Sequence, residues 1–244
     1  MKKKAIFNWS SGKDSALALY KTLQDTEIEI VSLLTSVNKK HNRISMHGVR
    51  TQLLVQQAKS IGLPLHIMEI PEMPSMNDYE VVMQETLTQF KEKGISHSIF
   101  GDIFLEDLRK YRENKLAEMQ LEAIFPLWKI PTKALILEFL ALGFKTIVVC
   151  VNERNLDKSF VGRVIDAQFI ADLPDDVDLC GENGEFHTFT FDGPIFKKPI
   201  EFEIGEIVYR KYEKPKQESS NTACDTSSSD AFDFGFWYCD LIPK

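Results

Sequence analysis

The sequence predicts an α/β protein: a Rossmann-like parallel sheet covered by helices, followed by a mixed α+β region. Three observations predict it. Apolar, β-rich runs alternate with segments of helical period from the start of the chain. A polar turn, Ser10-Ser11-Gly12-Lys13-Asp14-Ser15, joins the first strand to the first helix, at the edge where parallel sheets bind ligands. After about Glu122 the rhythm changes, glycine and proline become frequent, and strand-like stretches follow one another.

Residues 4–9 read as a buried strand, and residues 15–23 as a helix with Ala16, Leu19, Tyr20 and Leu23 on one stripe. Residues 29–37 are the second strand. Residues 46–62 keep helical spacing and stop at Gly62, a C-cap residue. A third strand covers 64–70, a helix 79–91, a short strand 98–100 ending at Gly101-Asp102, and a charged helix 105–121. A helix over 133–144 and a strand over 145–151 follow, then strands over 185–191 and 201–212. Residues 214–230 are Ser-rich and polar, a solvated loop. Residues 231–241 alternate aromatics at Phe232, Phe234, Phe236 and Tyr238, so they are expected to return and pair with 201–212. The change of rhythm divides the chain into two expected domains, residues 1–124 and residues 125–244.

The net charge of −7 over 244 residues argues against a general nucleic-acid binder, which would be basic. Cys150, Cys180, Cys224 and Cys239 are scattered, with no C-x-x-C pair, so a zinc site or disulfide framework is not expected. No apolar run approaches the ~20 residues of a membrane span. A cytoplasmic protein is expected.

A strand, a tight turn and a helix N-terminus make an anion site, because the first amides of a helix lack partners and its dipole favours negative charge. Gly12 allows close backbone approach, Lys13 supplies a cation, and Ser10, Ser11 and Ser15 supply hydroxyls. The G-x-x-x-x-G-K-[ST] pattern is absent, since Phe7 stands at the first glycine and Asp14 follows the lysine. A carboxylate beside phosphate needs a divalent cation, so Asp14 is the expected ligand of Mg²⁺. The plainer alternative is an ordinary capped turn with an exposed lysine.

The turn resembles the PP-loop, S-G-G-x-D-S, of the N-type ATP pyrophosphatases, with Ser11 where that pattern has glycine. His47-Gly48-Val49-Arg50, Gly101-Asp102-Ile103, Pro126-Leu127-Trp128, Val161-Gly162-Arg163, residues 181–188 (GENGEFHT) and residues 192–196 (DGPIF) fall in the order of the diphthine–ammonia ligase family. The likeness runs from about Lys4 to Phe202. It implies the adenine-nucleotide α-hydrolase fold and an amide ligase. ATP would be cut at its α-phosphate, a carboxylate adenylated, and AMP displaced by ammonium. The implied substrate is diphthine on elongation factor 2, or a small-molecule carboxylate in relatives that lack diphthamide.

Glu182, Glu185 and His187 lie within six positions, and in a strand Glu185 and His187 share a face. They are expected to steer ammonium or take its proton. Asp102, after Gly101, ends a strand at the same edge as the loop. Leu34 and Thr35 end the second strand and would line an adenine pocket. Arg50 can meet phosphate or carboxylate in bidentate fashion, with His47 beside it; a surface salt bridge is its plainer role. Tyr111, Arg112 and Arg163 are secondary candidates, and Trp128 reads as core or domain boundary. His41, His66 and His97 read as structural. A nucleotide-binding regulatory module without turnover is the rival of a different class, and a homo-oligomer stays open. An RNA-modifying enzyme is disfavoured by the acidic charge and the lack of a basic tract.

Overall fold

The computed structural model describes residues 2–45, 47–71, 75–211 and 235–244. The expected loop 214–230, and Phe232 and Phe234 with it, lie outside the described residues.

The first sheet is built from β1 (Lys3–Asn8), β2 (Ile28–Asn38), β3 (Arg43–Ile44), β4 (Leu65–Ile70), β5 (His97–Ile99) and β6 (Glu122–Ile124). β1 pairs with β2 and β5, β2 with β4, and β5 with β6, all in parallel. Chain order runs outward from β1 through β2 to β4, then crosses to β5 and β6 on the other side. The strand order therefore reverses between β1 and β5, and ligands bind at the carboxyl edge of such a switch. Among the described residues β3 is the antiparallel member, pairing Ile44 with Val37 of β2.

Period-2 alternation puts β1 in two cores. Ala5 and Phe7 face α1 (Lys13–Leu23), α2 (Thr51–Ile61) and α5 (Thr132–Ala141). Ile6 faces α3 (Met76–Glu92) and α4 (Glu106–Glu118). Both faces are covered, as parallel strands require. Gly62 ends α2 at φ 85°, the left-handed conformation that suits glycine, and Ser75 and Asp78 form a capping box at the start of α3.

The second sheet is antiparallel, in the order β8 (Phe186–Asp192), β7 (Lys145–Asn152), β10 (Gly235–Pro243), β9 (Phe202–Lys211). β10 does return to pair with β9, Phe236 opposite Arg210 and Tyr238 opposite Val208. This sheet packs into the same hydrophobic cluster as α1, α2 and α5.

Three expectations need correction. α1 starts at Lys13 rather than Ser15, so Lys13 and Asp14 sit in its first turn. Residues 47–50 are not helical; α2 starts at Thr51, with Arg50 at its N-cap. β8 starts at Phe186, so Glu185 precedes the strand and the alternation that would align it with His187 does not reach it.

Candidate active site

A cavity of about 450 Å³ opens at the carboxyl edge of the first sheet. Its floor is the end of β1 (Asn8, Trp9, Ser10), the adjoining Leu34, Thr35 and Ser36 of β2, Met68 of β4, and Phe100-Gly101-Asp102 after β5. Thr35 Oγ1 donates to Trp9 O at 2.7 Å, and Trp9 N to Leu34 O at 2.8 Å, so the two strand ends are locked in step. One wall is α3 and α4, through Tyr79, Met83, Leu108 and Arg112; the other is Gly181, Glu182, Gly184 and residues 186–188.

The loop is shaped by its own polar groups and by β8. Ser10 Oγ donates to Ser15 Oγ at 3.0 Å, and Ser15 Oγ to Gly12 O at 3.0 Å. Ser11 turns the chain at φ 72°, and its carbonyl accepts from Thr190 N at 2.9 Å. That conformation explains why the related pattern has glycine here. Ser11 and Gly12 form the back of the loop, packed on β8, and do not line the cavity. A side chain at Gly12 would start 3.0 Å from the His47 ring and 3.2 Å from Thr188 O.

Lys13 is buried in the first turn of α1, where the helix dipole opposes a cation. Its Nζ is compensated by Asp14 Oδ2 at 2.7 Å and by the carbonyl of Cys180. Burial acts to lower its pKa, but Asp14, the Cys180 thiol and Glu182 together hold it above the ordinary lysine value. Burial raises the Asp14 carboxyl against the opposing pull of Lys13.

Three carboxylates face the cavity. Glu182 accepts from Ile103 N at 2.9 Å, and burial, reinforced by Asp14 and Asp102, pushes its pKa up to about 7. Burial also raises Asp102, which pairs with Arg112. Arg112 Nη2 donates to Asp102 Oδ1 at 3.2 Å, and its Nε lies 2.8 Å from Oδ2 without hydrogen-bond alignment. The guanidinium also stacks 4.3 Å over Phe100. Among the described residues no three His, Cys, Asp or Glu side chains could hold a metal by themselves. A Mg²⁺ ion that arrives with phosphates needs only one or two protein carboxylates, which Asp14 fits, with about a third of its side chain exposed.

The rings of His47 and His187 lie with centroids 4.8 Å apart, tilted by 34°. Burial drives their pKa values down to about 4 and about 3, so both are neutral at pH 7. His47 Nδ1 bonds Thr188 O at 3.0 Å, whereas His187 Nε2 is buried without a partner.

Ser10, Lys13, Asp14, Ser15, Leu34, Thr35, His47, Gly101, Asp102, Glu182 and His187 thus come together around one cavity. Arg50 lies outside it, spent on Asp240. Glu185 lies outside too; its carboxylate accepts from Asp178 N and Asn183 N and folds the 178–185 turn. Arg112 reaches the cavity, whereas Tyr111 bonds Glu80 and Arg163 bonds Asp172. Trp128 packs on Phe125 and Arg109. Sequence reasoning missed Asn8, Tyr79 and Thr188. Thr188 Oγ1 accepts from Lys13 N at 3.0 Å, a helix cap supplied from across the chain that leaves no local signal.

Comparison with known proteins finds similar sequences over most of the chain. A diphthamide synthase N-terminal domain matches residues 1–121, and a diphthamide synthase C-terminal domain matches residues 131–217. A diphthine–ammonia ligase of Danio rerio is 28% identical over 169 residues, covering 62% of this chain and 65% of that protein. The Homo sapiens diphthine–ammonia ligase is 30% identical over 132 residues, 52% of this chain and 49% of the human protein. The alignments thus span about half to two thirds of these relatives. A solved U34-tRNA thiolase, NcsA from Methanococcus maripaludis with its [4Fe-4S] cluster, aligns over 57% of each chain at 20% identity and a TM-score of 0.38.

Proposed function

We propose a function for this chain on one premise: the chain belongs to the diphthamide synthase family. It is an ATP-dependent carboxylate–ammonia ligase that forms AMP and pyrophosphate. The observation that carries this reading is the meeting, in one cavity, of a phosphate loop from residues 1–124 and the carboxylate of Glu182 from residues 125–244.

With Lys13 N capped by Thr188, the next amides of α1, together with Ser10, Ser15 and the Lys13 ammonium, hold the β- and γ-phosphates of ATP. Leu34 and Thr35 line the adenine side. Asp14 would hold a Mg²⁺ ion brought with ATP, which would offset the phosphate charge. A substrate carboxylate oxygen attacks the α-phosphorus, forming an acyl-adenylate and breaking the bond to pyrophosphate. Glu182, with a pKa of about 7, takes a proton from ammonium near neutral pH. The ammonia attacks the acyl carbon, AMP leaves with the bonding pair, and the surplus proton passes to solvent. Asp102 and His187 flank the ammonium path. Preorganised donors around the phosphates supply much of the rate.

The substrate that fits the family is diphthine on elongation factor 2, in a cytoplasmic setting. No helix among the described residues is long and apolar enough to cross a membrane. The test is AMP and pyrophosphate release from ATP and Mg²⁺, with and without ammonium. The acceptors are a diphthine-bearing elongation factor 2 and a panel of small carboxylates. Release that requires both ammonium and the factor supports the reading; release with a small carboxylate alone reassigns the substrate; ATP binding with no release leaves a regulatory module.

A further inference from the structure

Residues 43–45 and 47–50 belong to a short hairpin on the rim of the cavity. Arg43 and Arg50 bridge at its base, and Ile44 N donates to Val49 O at 2.8 Å. Ile44, Ser45 and His47 line the cavity, so the tip delivers an imidazole while the base presents two guanidinium groups. One carboxylate holds both. Asp240 Oδ1 accepts from Arg43 Nη1 at 2.8 Å and from Arg50 Nε at 3.0 Å, and Oδ2 accepts from Arg50 Nη2 at 2.6 Å. Arg43 Nη1 also donates to Gly48 O at 2.7 Å, tying the tip to the base. Two residues before Asp240, Tyr238 shares that face of β10. Its ring lies 3.0 Å from where a side chain at Gly48 would start, at φ 68°. Both contacts therefore fit the His47-Gly48-Val49-Arg50 motif to β10, not to a nucleotide. β10 itself lies past residue 217, beyond the matched domains.

We propose that Asp240 is a positioning residue: it ties the base of this hairpin to β10 and so fixes His47 against the phosphate loop. The last strand of the chain thereby sets part of a site built 190 residues earlier. A hydrogen-bonded, partly buried charge pair of this kind is costly to break from one side.

The experiment uses the full chain. Imidazole resonances of His47 and of His97, which lies on β5 outside the cavity, are followed by NMR in the ligand-free protein. Asp240→Asn is expected to shift and broaden the His47 signals and leave those of His97 in place. Asp240→Glu, which keeps the charge, restores most of the wild-type pattern. His47 signals unchanged in folded Asp240→Asn overturn the proposal. If that variant does not fold, Arg50→Lys keeps the charge and loses the two-point contact; a His47 shift supports the proposal and no shift overturns it. The consequence for ligand rests on the nucleotide reading: α,β-methylene-ATP should bind about tenfold more weakly to Asp240→Asn. A wild-type chain that does not bind the analogue contradicts that reading, while the His47 resonances decide the positioning role by themselves.

Discussion

The six-stranded sheet reaches the cavity with the ends of its strands and the N-terminus of α1. The four-stranded sheet reaches it with the turn that enters β8 and the first residues of that strand. The first supplies amides, hydroxyls and a lysine, groups suited to an anion without changing protonation, with the carboxylates of Asp14 and Asp102 and the His47 imidazole beside them. The second supplies Glu182 and His187, whose charge depends on burial. The difference teaches where each task can reside. Anion binding needs a rigid helix terminus, which a parallel sheet provides at every crossover. Proton transfer needs a group with a displaced pKa, which a packed turn from a second layer provides by withholding water.

The sharpest way to break this comparison is Glu182→Gln. Amide formation should fall by about 10²- to 10⁴-fold while binding of an ATP analogue is unchanged. In the unmodified protein the rate should rise as pH passes through about 7, because Glu182 acts as a base only once ionised. That limb should vanish in the variant. Loss of ATP binding in Glu182→Gln would merge the two roles.

The histidines offer a second test, read by thermal unfolding against pH. Their folded-state pKa values are lowered to about 4 and about 3, so below about 6.5 the unfolded chain takes up protons that the folded chain refuses. Stability should be full above that pH and fall as pH drops towards 4, by on the order of a few kcal/mol. His187→Gln should shrink the fall. A flat profile would mean that the pair is hydrated and charged.

Much of the first region was legible in the sequence. The apolar run of β1, the turn at 10–15 and the strand-terminal Gly101-Asp102 all report local chemistry, and they met at one edge. The second region was legible only as a cluster. Glu185 was aligned with His187 by carrying strand alternation one residue too far; its neighbour Gly184 sits at φ 85° and breaks the period. Residues 46–50 read as helix because Val49 continues the apolar spacing of α2, and β3, at two residues, is too short to show any period. The pairing of Arg50 with Asp240 is invisible to any local window.

Smaller effects sharpen the loop side. Ser10→Ala and Ser15→Ala should each weaken ATP binding by about tenfold, the worth of one hydrogen bond, with no change in the ammonium dependence measured at saturating ATP. A changed ammonium dependence would tie the loop to the second step. Ser11→Gly should raise stability by about 1 kcal/mol, since it relieves a positive φ. It also removes a buried hydroxyl that has no partner. The expected rise in Tm is about 2–4 °C for a chain of this size. A fall in Tm would show that the hydroxyl is bonded in solution.

The division of labour is tested most directly by separating the two chemical steps in Glu182→Gln. With the carboxylate acceptor present, exchange of labelled pyrophosphate into ATP reports adenylation alone. Hydroxylamine, a nucleophile already uncharged at neutral pH, replaces ammonium in the second step. The predicted result is exchange at the wild-type rate, amide formation lost, and hydroxamate formation retained. Loss of exchange together with amide formation, or failure of hydroxylamine to restore acyl transfer, would contradict the assignment of Glu182 as the group that frees ammonia.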